Sequence, residues 1–596
     1  GLVDQFAPLK ELSPMAYMLA RLSKGSAGAF EALLHHGKLA ITGGAYDADR
    51  TGGFIEKVGM PLQGEMHDFL WWMAANRAEQ LATEDREHLF EKQDIITGKT
   101  LADGTLGFTY TLANGQTTTN RLEAFKDSAV KYDAFSKNVL DMAEQSGLIR
   151  PTVIDPGTGA VTGRGQWEKM MYVPFFRVKS EDGGFLGGKL QAKLVGQSPF
   201  KRLKGGPEQL NSNMLENVMA NWFHLIDASV KNRAAAASLD AAVSVGAAAE
   251  SDETTVRALA ATQGNNSSAV WFRDAGEKRY FVVTDPMVLT AITSLQYGGM
   301  KGGIMDAMSL MKHILTVTVT ASPHFKVKNL IRDSLQAVAT SDIGYNPIAN
   351  TLQGLKAGDH STQTYVSALA SGGLIRFGTM LEGKTSARVD QLLRAGIRDT
   401  TILNNPSKLR KVYDKFDKAL AAYNEVGNRS EEITRIALYK QLTDKGIGHA
   451  EASLMARDLM DFSLQGAYTE VRFLTQVVPF MNARMQGLYK LGRAAAEDPR
   501  RFAAVLGATA LASVALLAAY GDDDDWKKRE DWDRDNNWWF KLGGTAFRIP
   551  KPFEIGAIAT LAERGVEYFT DPEMTGKRLN SRVLSLLANN LSMNPV

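Results

Sequence analysis

The sequence predicts a mainly α-helical, elongated, multidomain protein with two small β-hairpins. Apolar residues recur at three- and four-residue spacing through most of the 596 residues, the period of an amphipathic helix. Only Leu106–Thr119 and Trp271–Asp285 combine β-forming residues with a hairpin turn signal. One late run, Phe502–Tyr520, extends for nineteen residues without a charge. A chain of this length carries a prior of three to five domains and can bury substantial cores without staples.

Taken in order, residues 1–150 read as a helical domain, with helical spacing over Pro14–Leu22, Met66–Leu81 and Leu122–Ser146. Within it Leu106–Thr119 alternates and turns at Asn114-Gly115, which predicts the first hairpin. Residues 151–210 form a connector rich in Gly, Pro and Lys. Residues 211–345 form a second helical domain, opening on a long helix from Asn213 to about Ala249. Its hairpin, Trp271–Asp285, turns near Ala275-Gly276. In the same stretch Lys312–Val319 is a short apolar run and His324–Ala339 a basic amphipathic helix. Both are too short to span a bilayer. Residues 346–500 begin loose and Gly-rich, then resume as helix over Ser386–Lys440, Ala450–Phe462 and Pro479–Ala496. Residues 501–596 hold the apolar helix and a Trp-rich region. No internal repeat of fixed period is present.

Composition removes several function classes. The chain has no Cys, so disulfides, thiolate metal sites and a cysteine nucleophile are all excluded. Its 68 basic and 66 acidic residues nearly cancel, so contact with nucleic acid or lipid must come from local clusters. It opens on Gly with no charged segment leading into an apolar core, which suggests a fragment or processed product without a secretory signal. The nine His residues show no ligand spacing, no GxSxG elbow occurs, and no catalytic residue, cofactor site or metal site is expected. GTMLEGKT, from Gly378 to Thr385, has the spacing of a phosphate-cradling loop but lacks the strand–loop–helix setting that gives the motif meaning. It keeps a nucleotide-binding enzyme, with Lys384 on phosphate, as an alternative reading. Asp531, Asp533 and Asp535 imitate a calcium loop, but Asn536 stands at the turn glycine and Leu542 at the bidentate glutamate.

The apolar run carries most of the functional information. A nineteen-residue helix is about 28 Å long, close to the roughly 30 Å hydrocarbon thickness of a bilayer. Eight of its residues are Ala, and its Leu, Val and Phe each contribute only about half a kcal/mol to insertion, so partner helices are needed. The residues expected to pack into a membrane or against neighbouring helices are Phe502, Ala504, Leu506, Ala508, Leu511, Ala512, Ala515, Leu516, Ala519 and Tyr520. The five of these Ala residues make one smooth stripe. A wholly buried core helix is the alternative. Upstream, Arg484, Lys490, Arg493, Arg500 and Arg501 form a basic cluster suited to anionic lipid or DNA phosphates. Lys189, Lys193, Lys201, Arg202 and Lys204 form another. A merely solvated face is the plain alternative for both. Downstream, Asp522–Asp525 ends the helix as a solvated charge run, and Trp526, Trp532, Trp538 and Trp539 crowd among charges. Such aromatics suit a membrane–water boundary or the anchoring of a loop onto the protein.

Six phrases, in order, resemble one family. They are MMYVPFFRV (Met170–Val178), SPFKRLKGG (Ser198–Gly206), PHFKVKNLIRDSLQAVATS (Pro323–Ser341), RDLMDFSLQG (Arg457–Gly466), VVPFMNARMQGLYKLGR (Val477–Arg493), and DWDRDNNWWF followed by FRIPKPFEIG (Phe547–Gly556). Together they resemble the carboxy-terminal region of large phage internal virion proteins and related polyvalent proteins, including the large polyvalent protein associated domain. The resemblance implies a non-enzymatic internal virion protein, ejected into the host envelope to help form a conduit for the genome. Members of this group often carry enzymes in regions upstream, and any such catalytic domain would lie outside this chain. The implied partners are further copies of itself, other ejection, portal or tail proteins, genomic DNA held non-specifically, and the host inner membrane. A soluble capsid-interior scaffold is a further alternative.

Overall fold

Local sequence explains where the helices begin. Ser13 accepts a hydrogen bond from the Ala16 amide and Pro14 supplies the fixed φ of a first turn, so Pro14–Leu22 starts there. Asn120 accepts from the Glu123 amide to open Arg121–Gln145, and Asp285 accepts from Met287 and Val288 to open Pro286–Thr293. These elements belong to a computed structural model that describes residues 3–85, 90–151, 153–154, 157–158, 161–163, 214–263, 267–295, 362–374, 432–459, 461, 463–464, 466, 468, 481–542, 544–551 and 553–591. The protein is mainly helical with small antiparallel strand pairs, as the spacing of apolar residues predicts.

Both expected hairpins form. Thr105–Thr111 pairs with Thr117–Asn120 across Asn114-Gly115, where Gly115 has φ +83°. Ala269–Asp274 pairs with Glu277–Val283 across Ala275-Gly276, and both turn residues lie at positive φ. That backbone twist suits a two-residue hairpin, although it holds Ala275 in a region that favours glycine. Ala248–Ser251 adds a third strand to this sheet. Three further pairs were not singled out: Leu39–Thr42 with Ala45–Ala48, Val153–Ile154 with Val161–Gly163, and Asn537–Leu542 with Thr545–Pro550. Strands of two to six residues are too short for alternation to show above the helical background.

One buried apolar cluster draws side chains from Phe6 through Leu459. The segments expected as separate helical domains, 1–150, 211–345 and 346–500, therefore share a core in their described residues. Its axis is the helix Met214–Ser244, 31 residues and about 46 Å long. Trp222 on this helix meets Phe54 edge-on at 5.0 Å and Tyr132 at 5.6 Å, and Phe223 meets Phe30 at 5.6 Å. Rings of this size in offset or edge contact contribute about 0.5–1.5 kcal/mol per pair beyond their burial. The same helix carries a buried amide, Asn232. Its side chain donates to Ser146 O at 2.8 Å and Arg273 O at 2.7 Å, and accepts from the Arg273 amide at 3.0 Å. It thereby ties the end of Arg121–Gln145 to the second hairpin with its polar atoms satisfied.

A buried ionic knot joins the two ends of this core. Arg457, on the helix His449–Asp458, donates to Asp461 at 2.9 Å, to Gly372 O at 2.7 Å and to Ser463 Oγ at 2.9 Å. Arg21 reaches the same Asp461 Oδ2 at 3.1 Å and Asp458 at 2.7 Å. Gln486, on Met481–Glu497, exchanges hydrogen bonds with the Asp461 backbone. Burial pushes the Asp461 carboxyl up, but Arg457 and Arg21 outweigh it and hold the group well below the usual carboxylate range.

Candidate membrane-facing site

The apolar helix is longer than its charge-free run. It covers Pro499–Tyr520, 22 residues and about 33 Å, because Asp498 accepts from the Arg501 amide at 3.0 Å and Pro499 fits the first turn. Only 6% of its most apolar stretch is buried, so it is not the core helix of this chain. The residues it does bury are its polar ones. Thr509 donates to Val505 O at 2.8 Å, and Ser513 accepts from the indole N–H of Trp538. The Ala stripe, Ala504, Ala508, Ala512, Ala515 and Ala519, faces outward, as does Leu511 at 72% exposure. Phe502, Leu506, Leu516 and Tyr520 are half-buried along its flanks. A surface helix in water turns its polar residues out, and this one does the reverse.

The inner side of this helix rests on the strand Asn537–Leu542 and the helix Phe553–Thr570. Trp538 bonds Ser513, and Tyr520 donates to Lys541 O at 3.4 Å, so the hairpin runs beside the second half of the apolar helix. Trp526 and Trp539 are buried, with the Arg529 guanidinium 3.9 Å from the Trp539 ring centroid, while Trp532 is 57% exposed. Of the four tryptophans grouped as boundary aromatics, two therefore anchor the hairpin, one clasps the helix and one faces out. The acidic tetrad is partly engaged, since Lys541 sits 2.6 Å from Asp523 and 3.0 Å from Asp525.

Beneath lies a charged interior that sequence reading did not anticipate. Lys551 meets Glu563 at 2.5 Å, Arg564 meets Asp535 at 3.3 Å and also Glu563 and Glu567, and Arg582 meets Asp535 at 2.6 Å. Burial pulls the Lys551 ammonium below its usual range, against the opposing pull of Glu563. The aspartates that imitate a calcium loop are held by arginines. Asp531 pairs with Arg534, Arg578 and Arg582, Asp533 with Arg529 and Arg548, and Asp535 with Arg564 and Arg582. The available signal was the alternation in Thr560–Phe569, where charges fall on one side of a helix whose other side is apolar.

The basic residues divide. Arg500 is exposed and Arg501 half-buried at the start of the apolar helix, and Arg493 pairs with Glu497 at 2.9 Å. Lys490, expected to meet phosphates, is instead buried and helps hold Asp458 down. Arg484 lies in the helix Met481–Glu497, but its side chain is outside the described set. Lys189, Lys193, Lys201, Arg202, Lys204 and GTMLEGKT also lie outside the described residues.

Residues 523–596 match the family described as large polyvalent protein associated domain 38. No curated protein and no solved structure matches the chain. The matched segment contains the Trp hairpin and the charged interior, and the apolar helix immediately precedes it. The match covers the end of the chain, where two of the phrases that resemble the large polyvalent protein associated domain, DWDRDNNWWF and FRIPKPFEIG, lie.

Proposed function

We propose that this chain, whose residues 523–596 match a large polyvalent protein associated domain, is a phage internal virion ejection protein that helps build a conduit for genome delivery across the host envelope. One observation carries the reading: a helix of bilayer length, charge-free over its last nineteen residues, turns Thr509 and Ser513 inward and its alanine stripe outward. Arg500 and Arg501 at one end would meet lipid phosphates and keep that end cytoplasmic, with the acidic tetrad at the other. Several copies would be needed to line a passage, with DNA, other virion proteins and the inner membrane as partners. The protein would travel from the capsid interior to the host envelope, and its action in this region would be non-enzymatic.

Flotation on vesicles of phosphatidylcholine and phosphatidylglycerol tests this. The chain is expected to float, and a variant with Ala508→Asp, Leu511→Asp and Ala515→Asp to stay at the bottom. Each aspartate at mid-helix costs about 3 kcal/mol of insertion. All three positions are exposed, so an unchanged far-UV circular dichroism spectrum is expected alongside. A native chain that ignores vesicles would remove the proposal and favour a soluble scaffold.

A further inference from the structure

The helix Phe553–Thr570 repeats the inverted polarity of its neighbour. At about 100° per residue, Thr560, Glu563, Arg564 and Glu567 fall within roughly a third of a turn, and all four are buried. Leu561, Val566, Tyr568 and Phe569 occupy the opposite side, and all four are exposed, Phe569 to 86%. The inward set has fixed partners: Lys551 for Glu563, Asp535 for Arg564, Arg582 for Glu567, and the Asp535 carbonyl for Thr560. Among its described side chains, what the helix leaves exposed is therefore apolar except for Thr570 at its end. The next helix, Gly576–Leu591, is mixed: Arg582 is turned in and Leu584 is 66% exposed, but Leu586 is buried and Ser581 and Ser585 are exposed.

We infer that the outward face of Phe553–Thr570 is a second lipid-contact surface, lying at the headgroup–acyl boundary with Tyr568 and Phe569 as its anchors. This rests on the membrane reading of the apolar helix. Three features choose lipid over another copy of the chain. The helix packs directly against Pro499–Tyr520, whose length matches a bilayer. Glu563, Arg564 and Glu567 interrupt its length, which suits a helix lying in the interface and not one that crosses. Its exposed end is an aromatic pair with ring centroids 5.3 Å apart, and the Tyr568 hydroxyl supplies the polar handle that boundary aromatics use.

Because the chain has no native cysteine, single cysteines can report each position with an environment-sensitive nitrobenzoxadiazole label. Phe569→Cys and Leu511→Cys are expected to brighten and shift to the blue on phosphatidylcholine–phosphatidylglycerol vesicles. Val130→Cys, exposed on the helix Arg121–Gln145, should stay as in buffer. Leu561→Asp with Phe569→Asp should weaken vesicle affinity about tenfold or more while leaving circular dichroism unchanged, as expected for losing two apolar side chains from lipid. A response at 511 without one at 569 would overturn this inference and leave the membrane reading standing. Silence at both would remove both. A blue shift at 569 that follows protein concentration without vesicles would assign the face to a second copy instead.

Discussion

Asp461 lies at the centre of the buried ionic knot. It is fully buried, and both Arg21 and Arg457 depend on it. Asp461→Asn would leave two buried guanidinium groups short of a carboxylate, and a loss of about 3–5 kcal/mol is expected in urea unfolding. The knot also sets a pH dependence. Burial pushes the Asp458 carboxyl up, but Lys490 and Arg21 outweigh it and hold the group at about 2, and Asp461 is likewise depressed. A depressed carboxylate contributes stability above its unfolded value near 3.9 and loses it as pH falls through the folded value. Stability should therefore decline between roughly pH 4 and pH 2, and Asp458→Asn should flatten that limb. About a third of the Asp458 side chain is exposed, so its own share is on the order of 1–2 kcal/mol after screening. None of this was legible in sequence, because Arg21 and Asp461 lie 440 positions apart. Lys490 shows the same limit: a lysine counts as surface until the fold places an aspartate beside it.

Among the elements, legibility followed length and punctuation. The helices opening at Pro14 and near Leu122 announced themselves through a cap or a long apolar period, and the hairpins at Asn114-Gly115 and Ala275-Gly276 through their turn residues. The hairpin Asn537–Pro550 did not, because its tryptophans among charges read equally well as boundary residues or as anchors. Among the described residues it grips the apolar helix through two hydrogen bonds, Trp538 to Ser513 and Tyr520 to Lys541 O. Trp538→Phe keeps an aromatic ring but removes the indole N–H donor, and should cost at least about 0.5–1.5 kcal/mol locally. Hydrogen exchange should accelerate in residues 537–550 and not in the helix Met214–Ser244.

For the molecule as a whole, an outward apolar helix makes solubility conditional on surroundings. In detergent-free buffer the purified chain is expected to associate with rising concentration in sedimentation velocity, and to separate in mild detergent. The Ala508→Asp, Leu511→Asp, Ala515→Asp variant should sediment as a small species in both. The sequence supplied the length and position of that helix, but which side faces out depends on Thr509, Ser513 and a distant indole. Since its polar atoms are already quenched internally, no hidden surface has to be unpacked before hydrocarbon is met. On the proposed function, the passage from virion to membrane would then be a change of neighbours, with timing set by release from the capsid and not by a refolding clock.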